Sequence, residues 1–184
     1  MSVTNAREEL LLPAEETLTV IRQLAERIRE GIDPPEKRVV VVGIRRGGAV
    51  VARLLRDTLA SLLGRELPIG FLDITFYRDD LRTIGPNPVV GATDLTMQID
   101  NRCIILVDDV LFTGRTIRAA LNALFDYGRP ESVRLAVLVD RGGRQLPIQP
   151  DFAGRVVEAG NRESIKLVER ERGEWVVVRR RLAE

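Results

Sequence analysis

Thirteen consecutive residues, Ile104-Ile-Leu-Val-Asp-Asp-Val-Leu-Phe-Thr-Gly-Arg-Thr116, constrain this chain more than any other stretch. Cys103 to Val107 is an unbroken apolar run of strand length, which predicts a buried strand. Two adjacent carboxylates, Asp108 and Asp109, stand where that strand is predicted to end. A short loop with two hydroxyls and one glycine follows, Thr113-Gly114-Arg115-Thr116. Ile117, Ala120, Leu121 and Leu124 then recur at helical spacing. The order is strand, acidic tip, small loop, helix.

That order has a chemical use. Backbone N–H groups of the loop and the N-terminus of the new helix point the same way and make an anion site. Gly114 permits close backbone approach or a positive φ. Thr113 and Thr116 add hydroxyl donors and Arg115 adds charge, so the loop suits a phosphate. The two aspartates repel a phosphate. They suit hydroxyl donors, or a hard cation such as Mg2+ held directly or through water. Phosphate at one end and a polyhydroxyl grip at the other describe a ribose 5-phosphate. An ordinary strand-to-helix turn capped by Thr accounts for the pieces singly but not for their order.

The flanking chain repeats the theme. Val39 to Ile44 does not alternate, as expected of a parallel strand buried on both faces. Arg45-Arg46-Gly47-Gly48 and a helix over 49–63 follow, giving a second strand–glycine loop–helix unit with anion-binding character. Before it, Leu18, Ile21, Leu24, Ala25 and Ile28 form the stripe of a helix over 14–30. Gly31 and Asp33-Pro34-Pro35 end that helix. Residues 68–76 read as a strand, and Tyr77 to Arg82 with Gly85-Pro86-Asn87-Pro88 as a long loop or hairpin. A return strand is expected over 89–96. Val133 to Val139 is another buried strand, ending in Asp140-Arg-Gly-Gly-Arg144 at the sheet edge where ligands sit in open α/β folds. A near-edge strand over 155–159 and a hairpin of 165–168 with 175–178 close the chain. The fold class is α/β, with a mostly parallel sheet flanked by helices.

Composition narrows the chemistry. With 184 residues, one domain is the default. The net charge of +1 leaves any basic partner site to a local patch. Without histidine, acid–base work falls to carboxylates, Tyr, Lys, Cys or bound water. The single Cys103 reads as a core thiol, and no disulfide framework or cysteine metal site is possible. No signal-peptide pattern precedes the first helix, and no apolar run approaches ~20 residues. A soluble, cytoplasmic protein without membrane contact is expected.

The 104–116 stretch resembles the 5-phosphoribosyl-1-diphosphate (PRPP) motif of type I phosphoribosyltransferases at every position. The resemblance implies a core over about 36–150 and a small hood from about 1–35 and 151–184, together one domain over 1–184. It implies a reaction that joins a base to C1 of PRPP and releases diphosphate. Asp108 and Asp109 would hold the ribose hydroxyls, partly through Mg2+, and Thr113, Gly114, Arg115 and Thr116 the 5-phosphate. Val107, Val110, Leu111 and Phe112 complete the PRPP-binding run. Arg45 and Arg46 become candidates for the diphosphate. The expected pattern there is Gly-Ile-x-Thr-Arg-Gly, whereas this chain has Gly43-Ile-Arg-Arg-Gly-Gly48. Arg78, with a catalytic role, and Arg82 would reach the diphosphate as their loop closes. Val139, Asp140 and Arg141 would hold the base.

The 73–81 and 135–148 segments resemble one subgroup, the PyrR-like regulators of pyrimidine operons. Enzymes for 6-oxopurines carry an acid where this chain has Phe112, which points to uracil instead. The implied activity is uracil phosphoribosyltransferase, combined with binding of pyrimidine-operon mRNA leaders in response to UMP or UTP. Arg22, Arg27, Arg141 and Arg144 are the candidate RNA contacts, with Arg162 nearby in character. A homodimer or higher homo-oligomer is implied as well. Two alternatives stand: a phosphoribosyltransferase for another base without RNA regulation, and a non-catalytic PRPP or nucleotide sensor, hinted at only by Arg46-Gly47.

Overall fold

The computed structural model describes residues 8–32, 38–77 and 93–181. Strand β1 (Glu8–Leu12) leads into helix α1 (Ala14–Gly31), then β2 (Val39–Ile44), α2 (Gly47–Leu63) and β3 (Ile69–Leu72). Next come β4 (Cys103–Leu111), α3 (Arg115–Phe125), β5 (Ser132–Asp140), β6 (Phe152–Val156), β7 (Glu163–Glu169) and β8 (Trp175–Arg181). Five strands form one sheet in the order β3-β2-β4-β5-β6, all parallel, with β4 at its centre.

The parallel sheet explains the apolar runs. Val39, Val41, Cys103, Ile105, Val107, Ala136 and Leu138 face α1 and α2. Their neighbours Val40, Val42, Ile104, Leu106, Leu135 and Val137 face α3. Both faces are covered, so alternation disappears from the sequence. Each large side chain buried in this way stabilises the fold by roughly 1.5–3 kcal/mol. Helix α2 lies close on β2 because Gly43 has no side chain; a Cβ there would sit 2.7 Å from the Ala52 Cβ.

A second, three-stranded antiparallel sheet in the order β1-β8-β7 lies within the segments expected to make the hood. It joins the chain's two ends, with Glu8 opposite Arg180. Helix α1 packs between the two sheets, sharing a core with Leu12, Ile165 and Val177 as well as with β2, β4 and β5, and strand β6, expected in the hood, joins the five-stranded sheet. Several boundaries also differ from expectation. Helix α2 begins at Gly47 rather than Ala49, and β6 spans Phe152–Val156 rather than 155–159. Strand β3 stops at Leu72 and turns into a 3-10 segment, Thr75–Tyr77. Of the return strand, Asp94 forms an antiparallel bridge with Phe71. Positions 89–92 of that strand, together with Arg78 and Arg82, lie outside the described residues. So does the Asp33-Pro34-Pro35 stop.

Candidate functional site

The carboxyl end of the parallel sheet carries Asp108, Asp109, the 113–116 loop, Asp140 and the Arg45-Arg46 turn. Strand β4 runs on through both acids to Leu111, so the strand does not stop at Val107 as its apolar run suggested. The acids are unequally placed. Asp108 is 5% exposed, while Asp109 is half-buried. The Asp109 N–H donates to Asp108 Oδ1 at 3.0 Å. Burial pushes the Asp108 carboxyl well above its ordinary value, and the charge of Asp109 pushes the same way. No arginine or lysine among the described residues forms an ion pair with either acid.

Both acids rest on the first turn of α2. A Cβ on Gly47 would lie 2.3 Å from Asp109 Oδ2, and one on Gly48 would lie 2.7 Å from the Val107 carbonyl and 3.0 Å from Asp108 Oδ1. A side chain at position 47 would meet the Asp109 carboxylate as it is placed here, and one at position 48 would meet the backbone of β4. Sequence reading took these glycines for a loop and missed the contact. Arg45 and Arg46 flank the same turn: the Arg45 guanidinium sits 5.7 Å from the Phe71 ring centroid, and Arg46 is exposed at the N-cap. The peptide between them is cis.

The 113–116 loop turns β4 into α3. Gly114 takes φ +90° at the N-cap of α3, a left-handed conformation that favours glycine. The Arg115 N–H donates to Thr113 Oγ1 at 3.3 Å, and Arg115 Nε donates to Gln145 Oε1 at 2.9 Å. The Thr113 carbonyl accepts from the N–H groups of Gln145 (3.0 Å) and Leu146 (3.2 Å). Thr113 and Thr116 are half-buried and Arg115 is exposed. The 144–148 segment therefore underlies the loop, a contact with no sequence signal beyond proximity in the fold.

The loop after β5 departs from expectation. Val139 is fully buried and pairs with Val110 across the sheet. Asp140 spends its carboxylate on its own loop, accepting from the Gly142 N–H at 3.0 Å and from Arg144 Nη2 at 2.6 Å. Arg141 is 6% exposed; burial lowers its pKa below the ordinary arginine value, against the pull of Glu163. Its guanidinium stacks over the Phe112 ring, 3.9 Å from the centroid. Arg144 donates to Ile148 O and Phe112 O, both at 2.9 Å. Arg141 and Arg144 are thus occupied inside the fold, unlike the RNA contacts expected of them. Arg22 and Arg27 are exposed on α1, with Arg27 Nη2 donating to the Ala153 carbonyl at 2.7 Å.

The donor set suits Mg2+ in kind. Two adjacent carboxylates offer hard oxygen ligands, while no cluster of three metal-ligating side chains occurs among the described residues. Oxygens of a bound substrate would have to complete the shell, as is usual for this ion. No helix among the described residues is long and apolar enough to cross a membrane.

Comparison with known proteins agrees with this geometry. The phosphoribosyl transferase domain family matches residues 9–166. A bifunctional protein PyrR from Roseiflexus sp. is 48% identical over 158 residues, covering 86% of each chain. A bifunctional protein PyrR from Geobacter sp. is 54% identical over 127 residues, 69% of this chain and 72% of the relative. Among solved structures, a mutant hypoxanthine phosphoribosyltransferase from Trypanosoma cruzi in a ternary substrates complex superposes with TM-score 0.68 at 22% identity. That match covers 94% of this chain and 95% of the other, and speaks for the fold alone.

Proposed function

The chain belongs to the phosphoribosyl transferase domain family, among relatives named bifunctional protein PyrR, and from that premise we propose that it converts uracil and PRPP to UMP and diphosphate and regulates pyrimidine operons by binding their mRNA leaders. One observation carries the enzymatic half. Twin acids with no ion-pair partner among the described residues stand directly before a glycine-and-threonine loop at a helix N-terminus.

Asp108 and Asp109 would accept hydrogen bonds from the ribose hydroxyls. The Thr113–Thr116 backbone and hydroxyls would hold the 5-phosphate, fixing the sugar at both ends. The transition state is oxocarbenium-like, so most of the barrier reduction comes from orientation and from neutralising the leaving diphosphate. Arg45 and Arg46 would meet that group as it departs, and Arg78 and Arg82 would join them from the 78–92 segment. Mg2+, held by Asp108 and Asp109 with substrate oxygens, would supply further charge neutralisation. Val139 and the loop after it would bound the base. Phe112 leaves no acid to engage an imidazole nitrogen, which favours a pyrimidine over a 6-oxopurine.

The Arg46-Gly47 departure brings Gly47 against the Asp109 carboxylate, so the altered turn would still support the acid pair. For the regulatory half, Arg22 and Arg27 remain the exposed candidates for RNA phosphates. UMP or UTP would occupy the PRPP site, the chain acting as one unit that doubles its basic patch by self-association. Turnover with PRPP, Mg2+ and each free base tests the enzymatic reading. Uracil is the expected substrate, and a silent uracil beside an active hypoxanthine would overturn it. A gel shift with a pyrimidine-operon leader tests regulation. UMP-dependent, salt-sensitive binding is expected, and sequence-blind binding would contradict it.

A further inference from the structure

We propose that Arg141 is a positioning residue that ties the hood to the phosphate loop through the ring of Phe112. This rests on reading Thr113–Thr116 as the phosphate cradle. One buried guanidinium makes contacts in two directions. Toward the hood, Nη1 donates to the Glu163 carbonyl at 2.7 Å and Nη2 to the Gly160 carbonyl at 3.0 Å. These carbonyls lie at the entry to β7, the edge strand of the hood. Toward the site, the same guanidinium lies 3.9 Å from the centroid of Phe112, the residue immediately before Thr113.

The ring is 37% exposed, with one face under the guanidinium and one edge on the loop. Its edge lies against Gly143, where a Cβ would come within 2.4 Å of Cε2, and Gly143 holds φ +75°. Its backbone is pinned too, because Arg144 Nη1 donates to the Phe112 carbonyl and the Arg141 N–H donates to the Leu111 carbonyl at 3.0 Å. A planar guanidinium stacks on a ring with its face while its in-plane N–H groups reach two carbonyls. A lysine ammonium is a point charge and cannot do both. The hood's position is therefore set against the loop that holds the 5-phosphate, and displacement of one moves the other.

Hydrogen exchange on the ligand-free protein tests the tie without any assumption about substrate. The amides of Gly160 and Glu163 report the hood entry, and those of Gln145 and Leu146 report the phosphate loop. In Arg141→Lys all four should exchange roughly tenfold faster, with the β2 and β4 amides unchanged. Faster exchange confined to Gly160 and Glu163 would overturn the proposal. If Arg141→Lys does not fold, Phe112→Leu probes from the other end and should loosen Gly160 and Glu163. Unchanged amides there would likewise refute the tie.

Kinetics adds a readout that a merely structural role does not move. Arg141→Lys should raise KM for PRPP more than it lowers kcat, and in a Phe112→Leu background it should add nothing further. Fully additive effects would mean that Arg141 does not act through the ring. Should no base be turned over by the wild-type protein, the enzymatic reading fails, and the exchange experiment still decides the tie.

Discussion

The hood and the acid pair treat carboxylates in opposite ways. In the hood, Glu8 accepts from Arg170 and from Arg180, the latter at 2.7 Å. Glu163 accepts from the Gly160 N–H at 2.9 Å and from Arg181 at 3.0 Å. Hydrogen bonds from Arg180 and Arg170 hold the Glu8 carboxyl below its ordinary value. The Gly160 N–H, followed by Arg181 and Arg179, does the same for Glu163. At the end of β4, burial and a like-charged neighbour drive Asp108 the other way. Acids that meet their partners within the fold are structural. A buried acid beside a second acid, with no ion-pair partner among the described residues, destabilises the ligand-free chain. Such a pair makes sense when a ligand supplies the hydroxyls and cations that the protein withholds.

The contrast can be broken most directly at the pair itself. Asp108→Asn and Asp109→Asn should each lower uracil turnover by about a hundredfold or more, with far-UV circular dichroism unchanged. Near-normal rates would remove the ribose role from these residues. Asp108→Asn should also unfold at higher urea concentration than wild type at neutral pH without Mg2+. Its folded-state pKa is raised, so wild type loses stability as pH climbs from the ordinary carboxylate value through the raised one. The asparagine variant lacks that loss.

Smaller effects follow farther from the acids. Gly47→Ala pushes a Cβ into the Asp109 carboxylate and should cost about tenfold in kcat/KM for PRPP; its thermal midpoint should fall little, since the Asp109 side chain can rotate aside. Glu163→Gln should leave turnover at pH 7 nearly unchanged and alter only acid stability. The Glu163 pKa is lowered, so its contribution is full above the ordinary value of 4.5 and disappears as pH falls through the folded value. Wild type should therefore lose stability below about pH 4.5 more steeply than Glu163→Gln, measured by urea titration across pH. The exposed Glu16–Arg155 pair, 2.8 Å apart, marks the floor. Glu16→Gln should change stability by less than ~1 kcal/mol and activity not at all.

What was legible in the sequence follows from how local each cause is. Strands β2, β4 and β5 announced themselves because burial on both faces leaves unbroken apolar runs. The turn from β4 through Gly114 into α3 was legible because strand, acids, glycine and hydroxyls are contiguous. Strand β1 was missed, since Glu8-Glu9-Leu10-Leu11-Leu12 resembles an acidic helix start and its partner β8 lies 172 residues away at Glu8–Arg180. Gly47 and Gly48 read as a loop because the acids that require them come from another strand. Arg141 and Arg144 read as free charges for a similar reason. Their partners Phe112, Gly160 and Glu163 are neighbours only after folding.

The most direct test is calorimetric titration of PRPP with Mg2+ into wild type and into an Asp108→Asn/Asp109→Asn double variant, each checked for folding. The account predicts binding to wild type and a loss of at least about tenfold in affinity for the double variant. Equal affinities in the two proteins would contradict the claim that the unpartnered acids are there to grip the sugar.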